Sequence, residues 1–244
     1  MMNDLYIRSA SLDWQRIGGD SYLRGIAALD GLERVEFTRS ICFFVGENGS
    51  GKSTLLEAIA IAAGFNPEGG TRNYRFSTRD THSQLCDALR LVRGTRRADW
   101  GYFLRAESFY NVATQEEDYA DVAHPSARFH EKSHGEGFLA LAQSQLRPGG
   151  LYLFDEPEAA LSPQRQLTLL LEICSCARQG AQFIIATHSP ILLGAPDAQI
   201  LSFDDGQIHP CVYEDTDSYR VTKMFLENRQ LLLKRLLEDG EEEN

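Results

Sequence analysis

Apolar and polar residues along the chain fall into two periods, and together they predict strands alternating with helices. Ile41 to Val45 is a continuous apolar run that reads as a short buried strand, after which Leu55, Leu56, Ile59 and Ala60 recur at helical spacing. A second succession follows: helical spacing from Gly137 through Phe138, Leu139, Leu141, Ala142 and Leu146, then the apolar run Leu151 to Phe154. A helix over about 163–178 and a strand over 182–186 complete it. Such alternation predicts an α/β fold with a mostly parallel central sheet and right-handed crossovers.

The flanks read differently. Residues 4 to 45 carry short strand-like runs with turn signals at Gly18-Gly19 and Asp30-Gly31, which predicts an antiparallel β layer ahead of the central sheet. Asn66-Pro67-Glu68-Gly69-Gly70 breaks the pattern, and an Arg-rich polar segment runs on to about residue 98. Trp100 to Arg105 reads as a further strand, and 111–132 as an exposed helix or loop. The stretch ILSFDDGQIHPCVY reads as a hairpin turning at Asp205-Gly206. A last helix, roughly Ser218 to Glu238, bears Val221, Met224, Phe225, Leu232, Leu233, Leu236 and Leu237. That stripe packs on its own domain in one reading and serves a partner in the other.

Between the first strand and the first helix stands GENGSGKST, which fits the phosphate-loop pattern G-x-x-x-x-G-K-[ST]. Gly46, Gly49 and Gly51 allow the backbone of Gly46, Glu47, Asn48, Gly49, Ser50, Gly51, Lys52, Ser53 and Thr54 to wrap a polyphosphate, so that N–H groups hold its oxygens. The helix that starts here adds the positive end of its dipole. Lys52 can reach the β and γ phosphates as a point charge, and the Ser53 hydroxyl is a ligand for Mg²⁺. Asp155-Glu156, about 100 residues downstream at the end of an apolar strand, supplies the second half of such a site. Asp155 is placed for Mg²⁺ opposite Ser53, and Glu156 to polarise the attacking water as general base.

Composition sets the frame: 244 residues, 43% hydrophobic and 24% charged, without a fixed-period repeat. That is enough chain for one large α/β domain over 1–244, with an insertion at about 66–132. No apolar run approaches the roughly 20 residues of a membrane helix, and the start MMNDLYIRSASLDW lacks a signal-peptide pattern. Cys42, Cys86, Cys174, Cys176 and Cys211 are odd in number and lack metal-type spacing. A cytoplasmic protein with reduced thiols and no membrane insertion is expected.

A net charge of -11 argues against a uniformly nucleic-acid-coated surface. Charge is uneven, however: Arg72, Arg75, Arg79, Arg90, Arg93, Arg96 and Arg97 crowd one stretch. It is either the solvated face of an inserted helix or a contact for phosphate. Tyr22 likewise has two readings, a plain strand aromatic or a platform for adenine.

The order of Gly46 to Thr54, Ser133-His134-Gly135-Glu136-Gly137, Asp155-Glu156-Pro157, Ala160-Leu161-Ser162 and His188 resembles that of an ABC-type P-loop ATPase. Over about residues 20–205 the chain is similar to the soluble, transporter-free branch, the RecF and SMC-like ATPases often labelled AAA. The resemblance implies ATP and Mg²⁺ shared between two copies in a head-to-tail homodimer. Ser133 and Gly135 of one copy would cap the γ-phosphate held by the other, in place of the family's LSGGQ, with Glu136 pointing away. His188 matches the switch histidine that senses that phosphate, and residues 160–162 the D-loop. Arg105 stands where the family has a glutamine that reaches the metal; Glu107 lies two residues on, and neither Gln115 nor Gln143 is placed to replace it.

Three functions follow from this resemblance. In the first, ATP hydrolysis and dimer closure drive a protein partner or a nucleic-acid process. In the second, an ATP-gated switch closes over DNA with slow hydrolysis, in repair or defence. The third, an ATPase subunit of a transporter, ranks last because the span from Arg105 to Ser133 leaves little room for the helical subdomain that grips a membrane partner.

Overall fold

The computed structural model describes residues 5–72, 84–106 and 134–242. Its centre is a seven-stranded sheet of β3 (Ile41–Val45), β4 (Gly70–Thr71), β6 (Gly101–Arg105), β7 (Leu151–Asp155), β8 (Gln182–Ala186), β9 (Gln199–Ser202) and β10 (His209–Cys211). Their order is β10-β9-β3-β8-β7-β6-β4. The five inner strands run parallel, while β10 and β4 close the two edges antiparallel. The α/β fold with a mostly parallel central sheet and the hairpin turning at Asp205-Gly206 therefore stand as the sequence predicts.

Strands β3, β7 and β8 are buried at every position, as parallel strands covered on both faces must be. Successive residues alternate between two cores. Cys42, Phe44, Leu151 and Leu153 pack with Leu55, Leu56 and Ile59 of helix α1 (Lys52–Ala62). Phe43, Val45, Tyr152 and Phe154 pack on the other face, with Phe138 and Leu141 of one helix and Leu169 and Ile173 of another. These helices are α3 (His134–Gln145) and α4 (Pro163–Arg178), and α2 is the single turn Leu85–Ala88. Burying each of the larger side chains stabilises the fold by about 2 kcal/mol.

Above α1 lies a three-stranded antiparallel sheet in the order β2-β1-β5, made of β1 (Ile7–Leu12), β2 (Arg34–Glu36) and β5 (Leu89–Arg93). Buried Gln182 ties the two sheets together: its Oε1 accepts from the Ile7 N–H at 2.9 Å, and its Nε2 donates to the Ile7 carbonyl at 2.8 Å. The ends of the inner strands share one row, with Arg105 beside Asp155, Asp155 beside Ala186, and Ala186 beside Phe44. Every loop that leaves this row starts from the same edge of the sheet, where ligands bind in open α/β folds.

Three expectations change. Arg90 and Arg93 lie on strand β5, not on an inserted helix, because Leu89 and Leu91 pack toward the core shared with β1. Tyr22 belongs to a 3₁₀ turn, Tyr22–Gly25, capped by Ser21, so it is no strand aromatic, and the residue is 64% exposed. The last helix, α6 (Asp217–Glu242), does not bury its stripe. Val221, Met224, Phe225, Leu233, Leu236 and Leu237 are all exposed, because the helix meets the body mainly through its first turns and the short α5 (Pro190–Leu193). No helix among the described residues is long and apolar enough to cross a membrane. Ser133, Glu107, Gln115, Arg75, Arg79 and the stretch 111–132 lie outside the described residues.

Candidate active site

The phosphate loop joins β3 to α1, and glycine makes the join possible. Gly51, the residue before the helix, has φ +99, and a Cβ there would come within 2.7 Å of Ile26 Cγ2. At Gly46, with φ +137, a Cβ would meet Asp204 Oδ1 at 2.9 Å. Glu47, Asn48 and Gly49 form the exposed apex. Within the loop, Lys52 Nζ donates to the Gly46 carbonyl at 2.7 Å and to the Glu47 carbonyl at 2.8 Å. Burial pushes this ammonium below its ordinary 10.5, against the pull of Glu156, Asp204, Asp155 and Glu158. The Ser50 hydroxyl is buried without a hydrogen-bond partner among the described residues, so an oxygen of a phosphate would satisfy it.

Across the sheet row, Ser53 Oγ donates to Asp155 Oδ1 at 2.7 Å. A hydroxyl and a carboxylate thus meet at the first turn of α1, the oxygen donors that a hard divalent cation takes. On the other side of Asp155 stands Arg105. Its Nε is 3.7 Å from Asp155 Oδ2, while its Nη1 is 2.6 Å from Glu57 Oε2 and donates to the Pro67 carbonyl at 3.2 Å. The position where the resemblance expects a metal-reaching glutamine therefore holds a cation paired with two carboxylates. Gln143, as expected, is elsewhere, near Glu172 at 3.4 Å.

Glu156 has left-handed backbone, φ 49 and ψ 50, an uncommon state for a side-chain-bearing residue. Its N–H donates to the Ala186 carbonyl at 2.9 Å, after which the chain turns into the 3₁₀ segment Pro157–Ala160. That turn aims the Glu156 carboxylate away from the strand, 44% exposed and 3.9 Å from His188 Nε2. His188 follows β8 by two residues, and its own N–H donates to Glu158 Oε1 at 2.5 Å. Burial, and then the Lys52 charge, push its imidazole below the usual 6.5. Lys52, Ser53, Asp155, Glu156 and His188 are thereby gathered at one edge of the sheet.

Three acidic residues were missed from sequence: Glu57, which holds Arg105, and Asp204 and Glu158. Asp204 accepts the Glu47 N–H at 3.0 Å through Oδ1 and the Ser202 hydroxyl at 3.0 Å through Oδ2, so it anchors the phosphate loop from β9. Asp204-Asp205-Gly206 reads only as a hairpin turn, and that role needs the β3–β9 pairing to be known. Glu158 is half-buried, its carboxyl pushed above the usual 4.5 mainly by loss of solvent, and it holds the His188 backbone.

Gly135 and Gly137 fall in the first turn of α3 rather than in a loop before it. A Cβ on Gly135 would meet the Ala160 carbonyl at 2.6 Å, so the glycine allows this turn to sit against the segment 160–162. Glu136 turns to Arg165 Nη2 at 2.8 Å, on the side of α4. Leu161 is buried and Ser162 exposed at the N-terminus of α4.

Two family models match parts of the chain. "AAA domain" covers residues 22–107, and "AAA domain, putative AbiEii toxin, Type IV TA system" covers 137–194. Among curated relatives, the hemin import ATP-binding protein HmuV of Nocardia farcinica is 28% identical over 84% of this chain and 76% of its own length. The protein of the same name from Pseudomonas aeruginosa is 26% identical over 76% of this chain and 80% of its own. Among solved structures, an SMC head bound to the C-terminal winged-helix domain of ScpA shares the fold, with a TM-score of 0.50 and 15% identity over 86% of this chain and 99% of that one.

Proposed function

We propose that this P-loop ATPase of the ABC and AAA type is a single cytoplasmic domain that binds ATP with Mg²⁺ and hydrolyses it between two copies of the chain arranged head to tail. The observation that carries this reading is the 2.7 Å contact of Ser53 with Asp155, beside a carboxylate and an imidazole at one strand edge. The backbone N–H groups of residues 46–54 and Lys52 would hold the phosphates, and Ser53 with Asp155 would hold the metal. When bound, Mg²⁺ neutralises charge on the phosphate oxygens. Glu156 would take a proton from the attacking water, and His188 would hold that water and the γ-phosphate in line. Ser133 and Gly135 of the second copy would cap the phosphate, while residues 160–162 join the two sites. The 3.9 Å gap between Glu156 and His188 fits a pair that acts on a molecule between them.

Replacing Glu156 with Gln should keep ATP affinity and slow turnover by about 100-fold or more, and an unchanged rate would remove Glu156 as the base. Replacing Lys52 with Ala should abolish nucleotide binding; normal affinity would overturn the site assignment.

A second reading, the ATP-binding subunit of a transporter, is favoured by the alignment of 84% of the chain with a hemin import ATP-binding protein. It requires a membrane partner, and co-purification with membranes through the exposed apolar residues of α6 would distinguish it. In the homodimer reading the same helix is free to carry the output of closure to a soluble partner or to DNA.

A further inference from the structure

At the opposite edge of the sheet from the phosphate loop, a cavity of about 430 Å³ is lined by Arg72, Arg93, Arg96 and Arg97, with Asp99 as the carboxylate in its wall. Leu151, which begins β7, also lines it, whereas Asp155 ends that strand. Four residues of extended chain separate the two places by about 13 Å. The cavity is therefore not part of the nucleotide site.

Folding holds these cations together in spite of their repulsion. Arg72 comes from the turn after β4, Arg93 from the end of β5, and Arg96 and Arg97 from the link into β6. The Arg72 guanidinium lies 5.1 Å over the Phe65 ring and donates to the Ala98 carbonyl at 2.9 Å. Arg96 lies 5.6 Å over the Tyr6 ring, and Arg93 donates to the Ala62 carbonyl at 3.0 Å. An aromatic face and main-chain carbonyls fix the Arg72 and Arg93 guanidinium planes without neutralising them. Arg72 Nε is buried with no hydrogen-bond partner among the described residues. Burial, and then the Arg93 charge, push the Arg72 guanidinium below its ordinary value, as expected where like charges converge.

We infer that this arginine-lined cavity is a second anion site, which takes a phosphate group, either of a free polyphosphate or of a nucleic-acid strand. Guanidinium forks match tetrahedral oxyanions through paired N–H donors, and an anion would relieve both the Arg72–Arg93 repulsion and the unpaired Nε. In a chain of net charge -11 such a patch is local, which confines a polyanion to this edge.

The test uses the full chain carrying Lys52→Ala, so that the phosphate loop does not contribute. Inorganic tripolyphosphate is titrated by calorimetry, and a fluorescein-labelled 20-mer oligothymidylate by polarisation at low and moderate salt. Arg96 and Arg97 are both exposed, so Arg96→Ala with Arg97→Ala should leave the thermal unfolding midpoint in place and weaken binding at least about tenfold. Lysine at both positions should recover most of the loss, since it keeps the charge. Binding of tripolyphosphate alone identifies a free-anion site; binding of the oligothymidylate as well, with a shallower salt slope in the alanine variant, identifies a strand. No binding of either probe, or equal binding by the double alanine variant, overturns the inference.

Discussion

Arg105 Nε stands 3.7 Å from Asp155 Oδ2, on the far side of the carboxylate from the Ser53 hydroxyl. A fixed cation at that distance opposes a divalent cation at Asp155, and Glu57, 2.6 Å from Arg105 Nη1, tempers it. Replacing Arg105 with Gln should therefore lower the Mg²⁺ concentration that half-saturates ATP binding, by about fivefold after allowance for partial exposure. Replacing Glu57 with Gln should raise it. Titration of Mg²⁺ against a fluorescent ATP analogue reads both, and an unchanged requirement in both variants would mean that the guanidinium does not bear on the metal.

Asp204 separates two roles in one side chain. Its Oδ1 accepts the Glu47 N–H at 3.0 Å, while its charge stabilises the buried Lys52 ammonium. Asn keeps the acceptor and removes the charge; Ala removes both. ATP affinity should be nearly retained in Asp204→Asn and should fall about 5- to 30-fold in Asp204→Ala, the cost of roughly 1–2 kcal/mol for a lost loop anchor. Equal affinities for both variants would show that the hydrogen bond does not order the loop.

His188 makes stability depend on pH. Burial and Lys52 hold its folded value below 6.5, so the unfolded chain takes up the proton first. Its contribution is present in full above 6.5 and is lost as pH falls through the folded value. The unfolding midpoint should drop on going from about pH 7 to about pH 5.5, and His188→Gln should lessen that drop. Glu158, raised chiefly by burial, acts in the opposite sense, which is why the comparison with the variant is needed. Parallel pH profiles for the two proteins would remove His188 as the titrating group.

Much of this site is legible from local pattern. The strand Ile41–Val45, the loop Gly46 to Ser53 and the carboxylate at the end of Leu151–Asp155 each announce themselves within a dozen residues, because the backbone demands of phosphate binding are local. Asp204 and Glu57 do not, since what they hold lies 157 and 48 residues away in the chain. The β5 arginines misled for another reason: Leu89-Arg90-Leu91-Val92-Arg93 alternates imperfectly, and only pairing with β1 decides the strand. On α6, helical spacing places apolar residues on one face and leaves open whether its own domain or a partner covers them; Leu236 is 61% and Leu237 68% exposed, because spacing fixes which residues share a face and not what covers it.

The most direct test of nucleotide shared between two copies is light scattering on a size-exclusion column, using the Glu156→Gln variant with and without ATP and Mg²⁺. A single chain of 27.4 kDa is expected without nucleotide and a species of twice that mass with it. A mass that stays at one chain under saturating ATP and Mg²⁺ would contradict nucleotide sharing.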